Sequence, residues 1–239
     1  MTQFPIWQPP EARPLLADDA VHFWRIRLDQ TAWPFADLWA LLSEDEQARA
    51  TRFYFERDRR RFTVGKAAVR LILARYLDTT PARLLFNYGP NGKPGIQELE
   101  FNFSNSEELG LLGVSRSFDL GVDLEHLRPV ADFERIAARF YSENELQILK
   151  GLPPEKQQPA FFNAWTRKEA YLKATGKGLS RSLREIEVSL VPGEPARFLS
   201  RLPELTNWSL KSLTPKAGFI GAVAVQSLAY HPAFFDWPQ

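Results

Sequence analysis

The sequence predicts an α+β fold built from two similar halves, and three observations carry that expectation. A helix-starting Ser-x-x-Glu box occurs twice, at Ser43–Glu46 and at Ser142–Glu145, about 100 residues apart. Each box is followed by a longer helical stretch and then by short strands, as a duplicated unit would produce. No flexible linker separates the two: His126–Asp132 holds a single proline, so packed half-domains, residues 1–118 and 119–239, fit better than two tethered ones. Residue identity between the halves is low, and two unrelated helix-then-strand units would also give this pattern.

The elements follow in order. Met1–Pro14 is proline-rich and reads as an extended arm, and Val21–Leu28 alternates as a strand does. Ser43 starts a helix, and a second helix carries Phe62, Val69, Leu73 and Tyr76 at helical spacing. Strands are expected at Leu84–Tyr88 and Glu100–Phe103, around a Gly-Pro-Asn-Gly turn. Leu109–Ser115 and Gly121–Leu127 read as a hairpin across Ser117–Asp119. Ser142 starts the second helical region, which contains Phe161, Phe162 and Trp165, and strands at Glu185–Leu190, Trp208–Leu213 and Gly218–Gln226 close the chain.

The composition narrows the chemistry. The chain has 239 residues, 44% hydrophobic and 25% charged, enough to bury a real core. It contains no cysteine, one methionine and three dispersed histidines, His22, His126 and His231. Disulfides, iron–sulfur clusters, cysteine-ligated zinc and a thiol nucleophile are excluded, and no HExxH pattern occurs. Catalysis would have to rest on carboxylates, hydroxyls, lysines and arginines, with a hard cation suited to oxygen ligands. A net charge of +1 argues against a nucleic-acid partner. The amino terminus lacks a signal-peptide pattern, and the longest apolar run falls far short of the ~20 residues that span a bilayer. A cytoplasmic protein without a membrane partner is expected.

Two motifs concentrate the chemistry. In Gly121-Val122-Asp123-Leu124-Glu125, a strand would turn Asp123 and Glu125 to one face, roughly 6–7 Å apart. Any half-buried strand alternates in this way, so a solvated polar face explains the pattern as well as a cation site does. In Phe161–Lys173, Phe161, Trp165, Glu169 and Leu172 form one helical stripe, placing a carboxylate in line with core aromatics. A buried carboxylate needs a cation, and Lys173 or a metal would serve, whereas a surface Glu–Lys pair is the plainer alternative. Ala174–Leu179 ends the helix at glycine and is no P-loop. Gly92-Lys93-Pro94 and Asn102-Phe103-Ser104-Asn105-Ser106 place a lysine and short polar groups on loops, where they suit phosphate oxygens or simply solvent. Arg49, Arg52, Arg57, Arg59, Arg60 and Arg61 form the main basic run, partly balanced by Glu56 and Asp58.

Taken in order, the Arg-rich helix, Gly-Lys-Pro, Asn-Phe-Ser-Asn-Ser, Gly-Val-Asp-Leu-Glu and Trp-Thr-Arg-Lys-Glu-Ala-Tyr-Leu-Lys-Ala-Thr-Gly-Lys-Gly resemble the Sfp-type 4′-phosphopantetheinyl transferases. The resemblance runs from Arg49 to Leu190. It implies a pseudodimer of two α/β half-domains that transfers the 4′-phosphopantetheine arm of coenzyme A to a serine of an apo acyl or peptidyl carrier protein. Adenosine 3′,5′-bisphosphate would be released, and Mg²⁺ would be required. By position, Asp123, Glu125 and Glu169 match the metal ligands, Glu169 the group proposed to deprotonate the carrier serine, and Lys173 a phosphate-contacting lysine that could protonate the leaving group. Lys93, Pro94, Ser104 and Asn105 match coenzyme A-binding positions, with Arg49 and Arg61 for its 3′-phosphate. Glu145 matches an acidic residue near the metal but is equally explained as a helix cap, and Lys168 is phosphate-facing or structural. The sequence departs from the family at Asn105, where histidine is usual. A basic and apolar rim near Ile136–Tyr141, with Arg135 and Arg139, and the Arg-rich helix would suit an acidic carrier, and a duplicated chain is expected to be a monomer.

Overall fold

The computed structural model describes residues 5–10, 14–29, 32–176 and 183–238. Strand β1 (Ala20–Arg27) leads through helices α1 (Phe35–Ala40), α2 (Glu44–Ala50) and α3 (Glu56–Tyr76). A two-residue ribbon, β2 (Asn87–Tyr88) with β3 (Pro94–Gly95), precedes β4 (Glu100–Ser106) and β5 (Leu109–Ser115). The second half repeats this order. Strand β6 (Leu120–His126) is followed by α4 (Phe133–Phe140), α5 (Glu143–Gly151) and α6 (Pro154–Thr175), then by β7 (Ser209–Leu213) and β8 (Phe219–Val225).

The duplication is explicit in the pairing. The first sheet runs β4–β5–β1 and the second β7–β8–β6, strand for equivalent strand, with each of these pairs antiparallel. The last strand, β9 (His231–Asp236), crosses back and pairs parallel to β1 in the first sheet. A bidentate bond from Arg25 to Asp236, at 2.7 and 2.6 Å, fastens it there.

Both capping boxes form, and each supplies a buried ion pair. Ser43 caps α2 while Glu46 bonds back to it and accepts from Arg70 Nε of α3 at 2.8 Å. Ser142 caps α5 while Glu145 bonds back and accepts from Lys168 Nζ of α6 at 2.6 Å. Each cation also holds a carbonyl of the segment after its own helix, Leu84 for Arg70 and Leu183 for Lys168.

Strand periodicity explains how the halves join. Along β1, Trp24 and Ile26 face the α3 core, whereas Val21 and Phe23 face a cluster shared with Leu109, Leu111, Leu120, Val122, Leu124 and Val223. Each such side chain contributes roughly 1.5–3 kcal/mol when fully buried, so the halves form one body. A side chain at Gly121 would collide with the Ala170 carbonyl and the Ala174 backbone, so its absence lets β6 lie against α6.

Several sequence expectations change. Leu109–Ser115 and Gly121–Leu127 form no hairpin, because the turn between them passes the chain from one sheet to the other. Glu185–Leu190 is a single 3₁₀ turn and one bridge, Val188 to Phe198. Of Leu84–Tyr88 only Asn87–Tyr88 is strand. The amino-terminal arm is pinned where described, since Gln8 bridges Phe235 and Trp7 packs on Phe234. Helix α6 ends at Gly176 with φ +62°, as expected, whereas Lys177, Gly178 and Leu179 lie outside the described residues.

Candidate functional site

Between the halves lies a cleft of about 580 Å³, built from the β2–β3 turn, β4, β6, the end of α4 and α6. Lys93, Pro94, Ser104, Asn105, Asp123, Glu125, Glu169 and Lys173 all line it. Residues spread over 81 positions therefore meet, because β4 and β6 are the adjoining edges of the two sheets and α6 covers β6. Phe140, Trp165 and Leu172 add an apolar wall.

Asp123 is the centre of the polar network. Its Oδ1 accepts from Lys173 Nζ at 2.6 Å and from Ser104 Oγ at 3.1 Å, while Lys173 also donates to Ser104 at 2.9 Å. Lys173 thus pairs across to β6, not with Glu169 on its own helix as the sequence spacing suggested. The Asp123 side chain is 6% exposed and its Oδ2 is buried with no hydrogen-bond partner. Glu125 accepts from Ser106 Oγ at 3.1 Å. Glu169 lies at the cleft edge of α6, so the Phe161–Leu172 stripe borders the cleft and does not point wholly into the core.

Burial pushes the Glu169 carboxyl above its ordinary value, and the negative charge of Asp123 adds to the shift. Burial and Asp123 raise Glu125 in the same way, partly opposed by the Ser106 hydrogen bond. The three carboxylates thus repel one another with one ammonium among them. Among the described residues no group of three His, Cys, Asp or Glu side chains stands close enough together to hold a metal ion. The donor chemistry nonetheless fits a hard divalent cation: three carboxylates on one cleft, one with an orphaned buried oxygen.

The remaining expected residues divide. Lys93 donates to the Ala174 carbonyl at 2.7 Å and Asn91 to the Gly176 carbonyl at 2.9 Å, so the first half clasps the carboxyl end of α6. Asn105 borders both the cleft and a neighbouring basic cavity that contains Arg49, Arg57, Arg61 and Lys66. Arg61 is already engaged, bidentate to Asp29 at 2.7 and 2.8 Å and bonded to Glu107 at 2.9 Å. Arg49 stacks over Phe62 and lines two cavities beside the cleft. Glu145 and Lys168 lie outside the cleft: both are buried, and they staple α5 to α6. Burial pushes the Glu145 carboxyl up and the Lys168 ammonium down, each opposed by the other's charge. Tyr141 also leaves the proposed rim, for it is fully buried and donates to the Phe161 carbonyl.

Sequence reasoning missed Asn91, Phe140 and Ser106 as site residues. Asn91 and Phe140 carry no chemical signature, and in the sequence Ser106 is only one of several short polar residues at a strand end.

Comparison with known proteins gives a consistent picture. Residues 119–224 match the 4′-phosphopantetheinyl transferase superfamily, and residues 29–114 match the family described as 4′-phosphopantetheinyl transferase, N-terminal. The chain is 44% identical over 237 residues to the 4′-phosphopantetheinyl transferase HetI of Nostoc sp., covering 97% of this chain and 98% of that protein. A putative 4′-phosphopantetheinyl transferase of Synechocystis sp. is 39% identical over 181 residues, 72% of each chain. The 4′-phosphopantetheinyl transferase Sfp of Bacillus subtilis is 30% identical over 154 residues, 63% of this chain and 67% of that one.

Proposed function

We propose a reaction for a chain that belongs to the 4′-phosphopantetheinyl transferase superfamily: it moves the 4′-phosphopantetheine arm of coenzyme A to a serine hydroxyl of an apo acyl or peptidyl carrier protein. Adenosine 3′,5′-bisphosphate is the leaving product. The observation that carries this reading is the meeting of Asp123, Glu125, Glu169, Lys173, Ser104 and Lys93 in one cleft between the two halves, the second of which also returns β9 to the first sheet.

Asp123, Glu125 and Glu169 would hold Mg²⁺, which when bound neutralises charge on the pyrophosphate and so favours its cleavage. Glu169 takes the proton of the carrier serine; burial and the charge of Asp123 raise its carboxyl pKa, which makes it a stronger base than a free carboxylate. Lys173, held by Asp123 and Ser104, presents an ammonium to the phosphates and can return a proton to the leaving oxygen. Lys93 and Pro94 border the same path, and Asn105 contributes a neutral amide where a histidine would carry charge. For the 3′-phosphate, Arg49 is favoured over Arg61, whose guanidinium is neutralised by Asp29 and Glu107. Trp165, Phe140 and Leu172 keep bulk water from one side of the cleft.

The carrier would approach along α4, where Arg135 and Arg139 are exposed and can meet an acidic surface. Charge reversal at either residue is expected to raise the carrier KM. Among the described residues no helix is long and apolar enough to cross a membrane. A monomer acting in the cytoplasm, with no nucleic-acid partner, completes the reading, since each half already has its two-fold mate within the chain.

The test is direct: incubate the protein with coenzyme A, Mg²⁺ and an apo carrier, then weigh the carrier. A phosphopantetheine mass increase is expected, and its absence across several carriers would overturn the reaction. Asn105→His is expected to keep activity.

A further inference from the structure

The polar side chains of β4 do more than line the cleft. Strand β6 is an edge strand: β8 pairs with one side of it, and the amides on its other side face β4. Yet β4 offers them side chains in place of a backbone ladder. Asn102 Oδ1 accepts from Val122 N at 2.9 Å, and Ser106 Oγ accepts from His126 N at 3.0 Å. Between them Ser104 Oγ bonds Asp123 Oδ1 at 3.1 Å. Residues 102, 104 and 106 project to the same side of β4 because side chains on a strand repeat every two residues. A backbone ladder would bring β4 and β6 to about 4.8 Å apart, whereas a side-chain ladder holds the edges wider and leaves room for a cleft.

Ser106 is the informative member. A backbone N–H can only donate, so the bond from His126 N uses an oxygen lone pair of Ser106. The single hydroxyl proton of Ser106 is then left for Glu125 Oε2, 3.1 Å away. One serine therefore ties both the backbone after Glu125 and one oxygen of its carboxylate. We infer that Ser106 is a positioning residue, which fixes the Glu125 carboxylate toward the cation site while Asn102 sets the register of β6 beneath Asp123.

This rests on the functional reading given above, and the experiment separates the two. Mn²⁺, a paramagnetic stand-in for Mg²⁺, is titrated into the full-length protein and followed by electron paramagnetic resonance, alongside thermal unfolding. Ser106→Ala is expected to weaken Mn²⁺ binding about tenfold, the lower end of what losing a residue that orients a ligand costs. Ser106→Thr, which keeps the hydroxyl, is expected to restore most of it. Wild-type Mn²⁺ affinity in Ser106→Ala, with only a lowered Tm, would overturn the positioning role while leaving the functional reading intact. Equal weakening in Ser106→Thr and Ser106→Ala would show that the hydroxyl is not what matters, and would overturn it too. Failure of the wild-type protein to bind Mn²⁺ would instead sink the cation site and this inference with it.

Discussion

The two halves share a scaffold and differ in what fills the same junction. In the first half, β1 meets the carboxyl end of α3 through neutral groups. Tyr76 OH bonds His22 Nδ1 at 2.8 Å and accepts from Trp24 Nε1 at 2.9 Å. In the second half, β6 meets the carboxyl end of α6 through charges, Asp123 on Lys173, with Glu125 and Glu169 beside them. The ion pairs behind each junction, Glu46 with Arg70 and Glu145 with Lys168, are alike. One copy of the unit keeps a closed, satisfied junction, and the other keeps an electrostatically strained one that opens on a cleft.

The comparison can be broken most sharply at Glu169. Glu169→Gln is expected to cut transfer by about 10²–10⁴-fold, the usual contribution of a general base; steady-state rates at saturating coenzyme A check this. An active variant would remove the functional asymmetry between the halves.

Next come the shared staples. Arg70→Met and Lys168→Met each strand a buried carboxylate, which costs about 3–5 kcal/mol when one partner of a buried pair is lost. Urea unfolding should show similar losses for both. A large loss in one half alone would mean that the pairs are equivalent in geometry but not in energy.

The neutral junction predicts a smaller effect. Tyr76→Phe removes the shared partner of two buried ring nitrogens and should cost about 1–3 kcal/mol, with transfer per folded molecule unchanged. Burial lowers the His22 pKa from 6.5 to about 4. The unfolded chain therefore binds the proton more readily, and stability is lost as pH falls from about 6.5 toward about 4. His22→Asn should flatten that part of the stability–pH curve.

The smallest effect sits in the strained junction. Because the folded-state pKa of Glu169 is raised, its contribution to stability is present below pH 4.5 and lost as pH rises through the folded value. At pH 8 and without divalent cations, Glu169→Gln should therefore be slightly more stable than the wild type. A small rise in Tm, read by thermal unfolding, is the expected sign. The same variant would thus be more stable and less active.

Much of this was readable along the chain because it depends on neighbours a few residues apart. Both capping boxes need only Ser and Glu three positions apart, and each of them forms. The alternation in Gly121–Glu125 is a property of any strand, and the Trp165–Lys173 segment is ordered by helical spacing alone. Those local rules, with the absence of cysteine and the resemblance carried by two motifs, were enough for the fold class and the duplication, and they singled out three carboxylates that the fold brings to one cleft.

What stayed hidden depends on partners far away in sequence. The turn at Ser117–Asp119 looks like a hairpin, but whether two neighbouring strands pair or part is decided by which sheet edge buries more apolar surface, and Val122 and Leu124 bury theirs between the sheets. The parallel strand β9 is held by Arg25 and Asp236, 211 positions apart. Arg61 looked like a phosphate ligand until Asp29 and Glu107 closed around it, and Lys173 looked like the partner of Glu169 until β6 brought Asp123 nearer. A sequence displays charges and hydroxyls, but desolvation and Coulomb energy act through distance in space. Only the packed chain could decide which charges are neutralised, which are strained, and which serine aims its proton at Glu125.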